Sequence, residues 1–119
     1  MKIGRKRTGG KYHPNRKKKL YEKPGQRRIT KLGEEKRKSK KTMGGDNKAF
    51  LLKSNSINLH ENGKIVRAEI KNVLETPSNR FFARQNILTK GTIVETNKGK
   101  ARISNRPTQE GVVNGILIK

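Results

Sequence analysis

Asn62-Gly63-Lys64-Ile65-Val66-Arg67-Ala68-Glu69-Ile70-Lys71 opens on a turn-forming pair and runs into strict alternation. Val66, Ala68 and Ile70 fall on one side of an extended chain and Arg67, Glu69 and Lys71 on the other, so the segment reads as a strand with one apolar and one charged face. The Asn-Gly pair supplies the positive φ that a tight hairpin demands. Downstream, the same two-residue rhythm returns in Ala101 and Ile103 against Arg102 and Ser104, next to a second hairpin-type connection at Asn97-Lys98-Gly99. Val112-Val113 and Ile116-Leu117-Ile118 form a more continuous apolar run, which predicts a central strand or one buried on both faces. About five or six short strands spaced by turns predict a mainly β fold, a small antiparallel β-barrel or barrel-like sandwich over residues 49–119. Closing the sheet would also cover edges that invite aggregation.

Upstream of residue 49 the composition changes. Residues 1–48 hold 19 of the 31 Lys and Arg and four of the nine acids, but only eight of the apolar residues. No apolar period runs through them, and Pro14, Pro24, Gly9-Gly10 and Gly44-Gly45 interrupt them repeatedly. Such a segment buries too little apolar surface to offset its ordering entropy, which predicts a basic, largely irregular N-terminal extension, disordered when free. A solvated linker or a charged import tail has the same composition. The Glu and Lys of Lys31 to Lys41 leave room for a helical turn or two.

The formal charge of +22 at pH 7 opposes compaction unless a polyanion neutralises it, so a negatively charged partner is expected. A membrane is not the expected one, because no apolar run approaches the roughly 18 to 20 residues that span a bilayer. The basic start Lys2, Arg5, Lys6 and Arg7 is followed by Thr8-Gly9-Gly10-Lys11 instead of an apolar stretch, which argues against a secretion signal. Cysteine is absent, which excludes disulfides and thiolate metal sites.

Catalytic chemistry finds few candidates. His13 and His60 have no second histidine at ligand spacing, and neither Gly9-Gly10-Lys11 nor Gly44-Gly45-Asp46 forms a phosphate-cradling loop that ends in Lys-Ser/Thr at a helix start. The acids are dispersed, with Glu34-Glu35 inside a basic stretch, where a nuclease would gather carboxylates around metal ions. No catalytic residue, metal, cofactor or small-molecule substrate is expected. His13 reads as a phosphate or base contact, and His60 as a solvent-facing residue before the Asn62-Gly63 turn.

Nucleic acid fits the charge. Arg5-Lys6-Arg7, Arg16-Lys17-Lys18-Lys19, Arg27-Arg28 and Lys36-Arg37-Lys38 offer enough cations to release many condensed counterions. Charge alone suits DNA as well as RNA, and a chromatin-like DNA binder is the alternative; a small nuclease or RNA-modifying enzyme is a more distant one. The basic clusters are broken by Gly, Pro and single aromatics instead of forming an amphipathic recognition helix, which favours an irregular path along folded RNA. Tyr12 and Tyr21 are positioned either to stack on unpaired bases or to pack on the β unit. Arg80, Arg84, Lys90, Lys100, Arg102 and Arg106 fall near predicted strand ends or loops and offer a second contact surface.

Several of these motifs are similar to a known family. Thr8-Gly9-Gly10-Lys11, Arg16-Lys17-Lys18-Lys19-Leu20-Tyr21-Glu22 and Thr30-Lys31-Leu32-Gly33, then Pro77-Ser78-Asn79, Asn86 to Thr96, Gly99 to Pro107 and Gln109 to Asn114, together resemble the archaeal and eukaryotic small-subunit ribosomal protein family numbered eight with an "e" suffix. The short length resembles the archaeal form. Thr108 and Glu110 depart from the Gly and Asp that the pattern has around Gln109, and Lys48-Ala49-Phe50-Leu51-Leu52 lacks an arginine expected there. The resemblance implies a β-barrel-like body with a basic extension, cytoplasmic in the ribosome, scaffolding small-subunit ribosomal RNA beside neighbouring ribosomal proteins without catalysis. By that carry-over Gly9, Gly10, Lys11, Arg16, Lys17 and Lys18 lie along RNA, with Arg102 and Arg106 as contacts on the body. Arg5, Lys6, Arg7, Lys19, Arg27 and Arg28 complete the predicted RNA-binding set.

Overall fold

The computed structural model describes residues 4–13, 15–61 and 63–118. Five strands close into a barrel: β4 (Ser56–Glu61), β5 (Lys64–Glu75), β6 (Ile93–Thr96), β7 (Gly99–Ile103) and β8 (Asn114–Leu117). Consecutive strands pair antiparallel except across the break between β8 and β4, where Asn58, Leu59 and His60 lie opposite Asn114, Gly115 and Ile116 in a parallel ladder. That one parallel pairing leaves the barrel without an open edge. The hairpin at Thr96 and Gly99 forms as expected, with the Thr96 hydroxyl donating to the Gly99 carbonyl at 2.7 Å and Gly99 at φ 124°. In the other tight turn Gly63 takes φ 78°, and Asn62 lies outside the described residues.

Alternation decides what faces inward. Ile57 and Leu59 of β4, Ala68 and Ile70 of β5, Val94 of β6 and Ala101 and Ile103 of β7 are all buried and form one cluster with Leu51, Val73, Leu88 and Val113. In β5 the inward parity changes between Ile70 and Val73, because a bulge inserts there and two residues oppose one on β6. Leu74 is thereby turned outward.

The expectation for the last apolar run is corrected. Ile116 and Ile118 are exposed at 56% and 43%, and only Val113 and Gly115 of this run are buried. The strand alternates like the others, with a glycine where an inward side chain would be: a Cβ on Gly115 would meet Ile57 Cδ1 at 2.7 Å and the Arg102 carbonyl oxygen at 3.0 Å. Apolar composition alone does not show which positions the neighbouring strands have filled.

The helical turn expected over Lys31 to Lys41 is also replaced. That stretch gives β1 (Lys31–Leu32) and β2 (Lys36–Lys41), which flank β3 (Asn47–Ser54) in a separate three-stranded sheet, β1 parallel to it and β2 antiparallel. The Thr42–Asp46 turn folds β2 back onto β3, and a full backbone ladder outweighs the modest helix preference of Lys and Glu. The sheet docks on the barrel through Leu51, which joins the core and whose amide donates to the Pro107 carbonyl at 3.0 Å. Thr30 is fully buried beside it; its hydroxyl donates to the Leu51 carbonyl at 2.9 Å and its carbonyl accepts from the Leu88 amide at 2.9 Å. One short helix, α1 (Arg80–Arg84), interrupts the strands where Asn79 caps the Phe81 amide at 2.9 Å.

Candidate nucleic-acid interface

No described residue between Gly4 and Ile29 is buried, and the predicted cations there are all exposed. They are nonetheless locally organised. Arg5 and Lys11 pair across a tight reversal in which the Lys6 amide donates to the Gly10 carbonyl and the Gly9 amide to the Lys6 carbonyl, both at 2.9 Å. Gly9 takes φ 80°, which a side chain would resist, so this glycine has a defined turn to make. The reversal gathers Arg5, Lys6, Arg7 and Lys11 into one small cationic loop, and Lys6 Nζ lies 5.6 Å from the centroid of the Tyr12 ring.

A second cluster surrounds a single 3₁₀ turn at Leu20–Glu22. Arg16 donates to Glu22, and the Lys19 amide donates to the other Glu22 carboxyl oxygen at 2.9 Å. The Arg16 guanidinium, then the Lys19 amide, hold the Glu22 carboxyl below its ordinary range. Because the shift is downward, the contact is complete above the ordinary carboxylate pKa and is lost as pH falls through the lowered value. Among the described residues Lys17 and Lys18 make no ion pair, and Lys19 lies over the Tyr21 ring at 5.9 Å. Both tyrosines are more than half exposed, which leaves their ring faces outside the barrel core.

Arg27 and Arg28 are held differently. Arg27 sits over Phe82 of α1 at 5.7 Å and Arg28 over Phe50 of β3 at 3.9 Å, so each covers an aromatic ring of the body. On the barrel, Arg102 of β7 stands between Ile93 and Ile116 and, with Lys90, lines a shallow depression of about 190 Å³. Arg106 is exposed on the loop that follows β7. Its carbonyl accepts from the amides of Gln109 and Glu110, both at 3.0 Å, and Asn105 ties the loop shut by donating to Glu110 and to the Val112 carbonyl while accepting from the Asn114 amide. The glutamate that departs from the expected aspartate is thus a working partner in that loop.

Another set of cations stands outside the predicted RNA-binding residues, although Lys36 and Lys38 belong to one of the basic runs suited to nucleic acid. Cross-strand register sets Lys31, Lys53 and Lys36 side by side over β1, β3 and β2, and sets Lys40 opposite Lys48. All six residues of β2 are exposed. Arg37 of that strand is neutralised, since Glu35 accepts from it at 2.8 Å and lies 3.6 Å from Arg67. The signal was present in Lys36-Arg37-Lys38-Ser39-Lys40-Lys41 followed by Met43-Gly44-Gly45-Asp46, a charged strand and a glycine turn, but lysine is a poor strand former and hides the pattern. Among the described residues no group of three or more His, Asp and Glu is placed to hold a metal ion, and no helix is long and apolar enough to cross a membrane.

Comparison with known proteins adds an independent finding. The model of the family described as ribosomal protein S8e matches residues 1–118. Proteins named small ribosomal subunit protein eS8 are similar along nearly the whole chain. The one from Haloarcula marismortui is 41% identical over 115 residues, covering 97% of this chain and 94% of its own. The one from Nanoarchaeum equitans is 46% identical over 113 residues, covering 92% and 89%. The one from Methanosarcina barkeri is 41% identical over 117 residues, covering 97% and 94%.

Proposed function

This chain belongs to the ribosomal protein S8e family, and from that premise we propose that it is a structural constituent of the small ribosomal subunit, working in the cytoplasm as part of the ribosome. The observation that carries the reading is the family match over residues 1–118, which takes in the cationic leading segment as well as the barrel.

In this reading the protein scaffolds small-subunit ribosomal RNA through phosphate contacts. The barrel holds position, residues 1–48 act as the RNA-binding extension, of which the stretch before Thr30 orders on its partner while β1 and β2 are already folded, and neighbouring ribosomal proteins complete the surroundings. The Arg5–Lys11 loop and the Arg16–Lys19 run present separate cation clusters, suited to bridging phosphates of adjacent RNA segments so that they pack together. Gly9 and Gly10 keep the first of these narrow. Arg102 and Arg106 serve as contacts from the body, and Tyr12 and Tyr21 offer exposed ring faces to unpaired bases. Arg27 and Arg28 contribute charge from positions fixed on Phe82 and Phe50.

The test compares the whole chain's affinity for a small-subunit ribosomal RNA transcript with that for duplex DNA of equal length at matched salt. Binding of the transcript at least about tenfold tighter is expected, a margin well above what shared phosphate attraction supplies. Equal affinities, or a preference for DNA, would transfer the protein to the chromatin-like alternative.

A further inference from the structure

The three-stranded sheet carries charge that its own folding does not explain. Side chains directly opposite on neighbouring strands share a face, and like charges placed there destabilise the pair. Here Lys31, Lys53 and Lys36 form one such row and Lys40 and Lys48 another, with Lys38 opposite Phe50, the ring that Arg28 covers. Among the described residues none of these lysines has a carboxylate within ion-pair distance. Edge protection is the ordinary reason for lysine on a strand, since a charged edge resists pairing with another chain. That reason covers β2, which is an edge, and Lys48, which β1 does not reach, but not Lys53, which has Lys31 on one side and Lys36 on the other.

The tip of the hairpin adds a second feature. The Thr42 amide and hydroxyl both donate to the Asp46 carbonyl, at 2.7 and 2.9 Å, and Gly45 takes φ 93°, so the turn is closed and defined. Met43 is fully exposed at its outermost point and lines a depression of about 250 Å³ with Arg28, Lys40, Lys41 and Lys48.

We propose that this sheet is a second RNA-binding platform, distinct from the Arg5–Lys11 and Arg16–Lys19 clusters, which takes the backbone phosphates of a double-helical RNA segment along its lysine rows and sets Met43 against a ribose or base edge. The inference rests on the RNA-binding reading given above. A protein partner fits less well, because a protein interface needs an apolar centre and Met43 is the one exposed large apolar side chain on the hairpin. Single-stranded RNA also fits less well, since it binds by stacking on open aromatic faces and the sheet's aromatic, Phe50, is buried beneath Arg28. Helical RNA is recognised by its phosphates, hydroxyls and shape, which rows of lysine match.

The experiment uses the full chain with Lys38, Lys40, Lys41 and Lys48 replaced by alanine, and measures binding to a small-subunit ribosomal RNA transcript across salt concentrations. The slope of log affinity against log salt is expected to fall by about 3 to 4, close to one per phosphate contact removed. An unchanged slope, with the unsubstituted chain still preferring the transcript to DNA, overturns the platform and spares the wider function. Failure of the unsubstituted chain to prefer RNA takes both down. Lys40→Glu separates a binding role from a structural one. Placed opposite Lys48 it relieves a like-charge pair, so the free protein should melt a few degrees higher while binding RNA more weakly. A lower melting temperature, or tighter binding, counts against the proposal.

Discussion

Gly115 shows how a single missing side chain sets the barrel. It faces inward on β8 between β4 and β7, and an added Cβ would meet the end of Ile57 and, at 3.0 Å, the backbone oxygen of Arg102. Ile57 Cδ1 is the end of a flexible side chain, though one packed in the core, whereas the Arg102 oxygen is fixed by the β6–β7–β8 ladder. Gly115→Ala is therefore expected to destabilise the protein by about 1 to 3 kcal/mol, partly offset by a stiffer unfolded chain, and thermal unfolding measures it directly. The same position explains what was legible in the sequence and what was not. Val66, Ala68 and Ile70 announced their face because charged residues mark the opposite one. Around Gly115 no charge marks the outside, so Ile116 and Ile118 read as core although they face solvent.

At the level of elements, the barrel strands follow from alternation and turn chemistry, whereas the separate sheet does not. Its β2 has neither an apolar face nor strand-forming residues, and it exists because the closed Thr42–Asp46 turn brings it against β3. Composition changes near residue 49, but the hydrogen-bonded ladder continues from Asn47 through Ser54, so a reading by charge and hydropathy ends where the backbone does not. For the candidate site, the clusters at Arg5–Lys11 and Arg16–Lys19 were visible as runs of charge. The lysine rows were not, because a run of lysines does not read as a strand and the rows appear only once strand register sets Lys31 and Lys36 beside Lys53 and Lys40 opposite Lys48. Thr30 is where the leading segment is fastened to these elements, through its hydroxyl on Leu51 and its carbonyl on the Leu88 amide. Thr30→Val keeps the shape and leaves the Leu51 carbonyl without that hydrogen bond, at an expected cost of about 1 to 2 kcal/mol. Hydrogen exchange should report faster exchange at Leu32 and Leu88 with the barrel strands protected as before. Unaltered protection at those two amides would show that the backbone contacts alone hold the segment.

The whole molecule is far from spherical. Its radius of gyration is 21.5 Å and its extents are 70 × 34 × 26 Å, against about 13 to 14 Å expected for a compact chain of this length. A formal charge of +22 makes that shape reasonable, since cations drawn together without a counter-charge repel one another. Neutralisation by RNA phosphates removes the repulsion, and the same counterion release makes binding steeply dependent on salt. Replacing Arg16, Lys17, Lys18 and Lys19 with alanine isolates the contribution of the leading segment. Arg16 is already engaged by Glu22 in the free protein, whereas Lys17 and Lys18 make no ion pair among the described residues, so the four do not count equally. The salt slope for ribosomal RNA is expected to fall by about 3, nearer the lower end of what four free cations would remove. The melting temperature should stay unchanged, because none of the four is buried or packed into the barrel core. A salt titration paired with a thermal melt checks both parts. An unaltered slope would place the phosphate contacts elsewhere on the protein, and a lowered melting temperature would mean that these side chains support the fold.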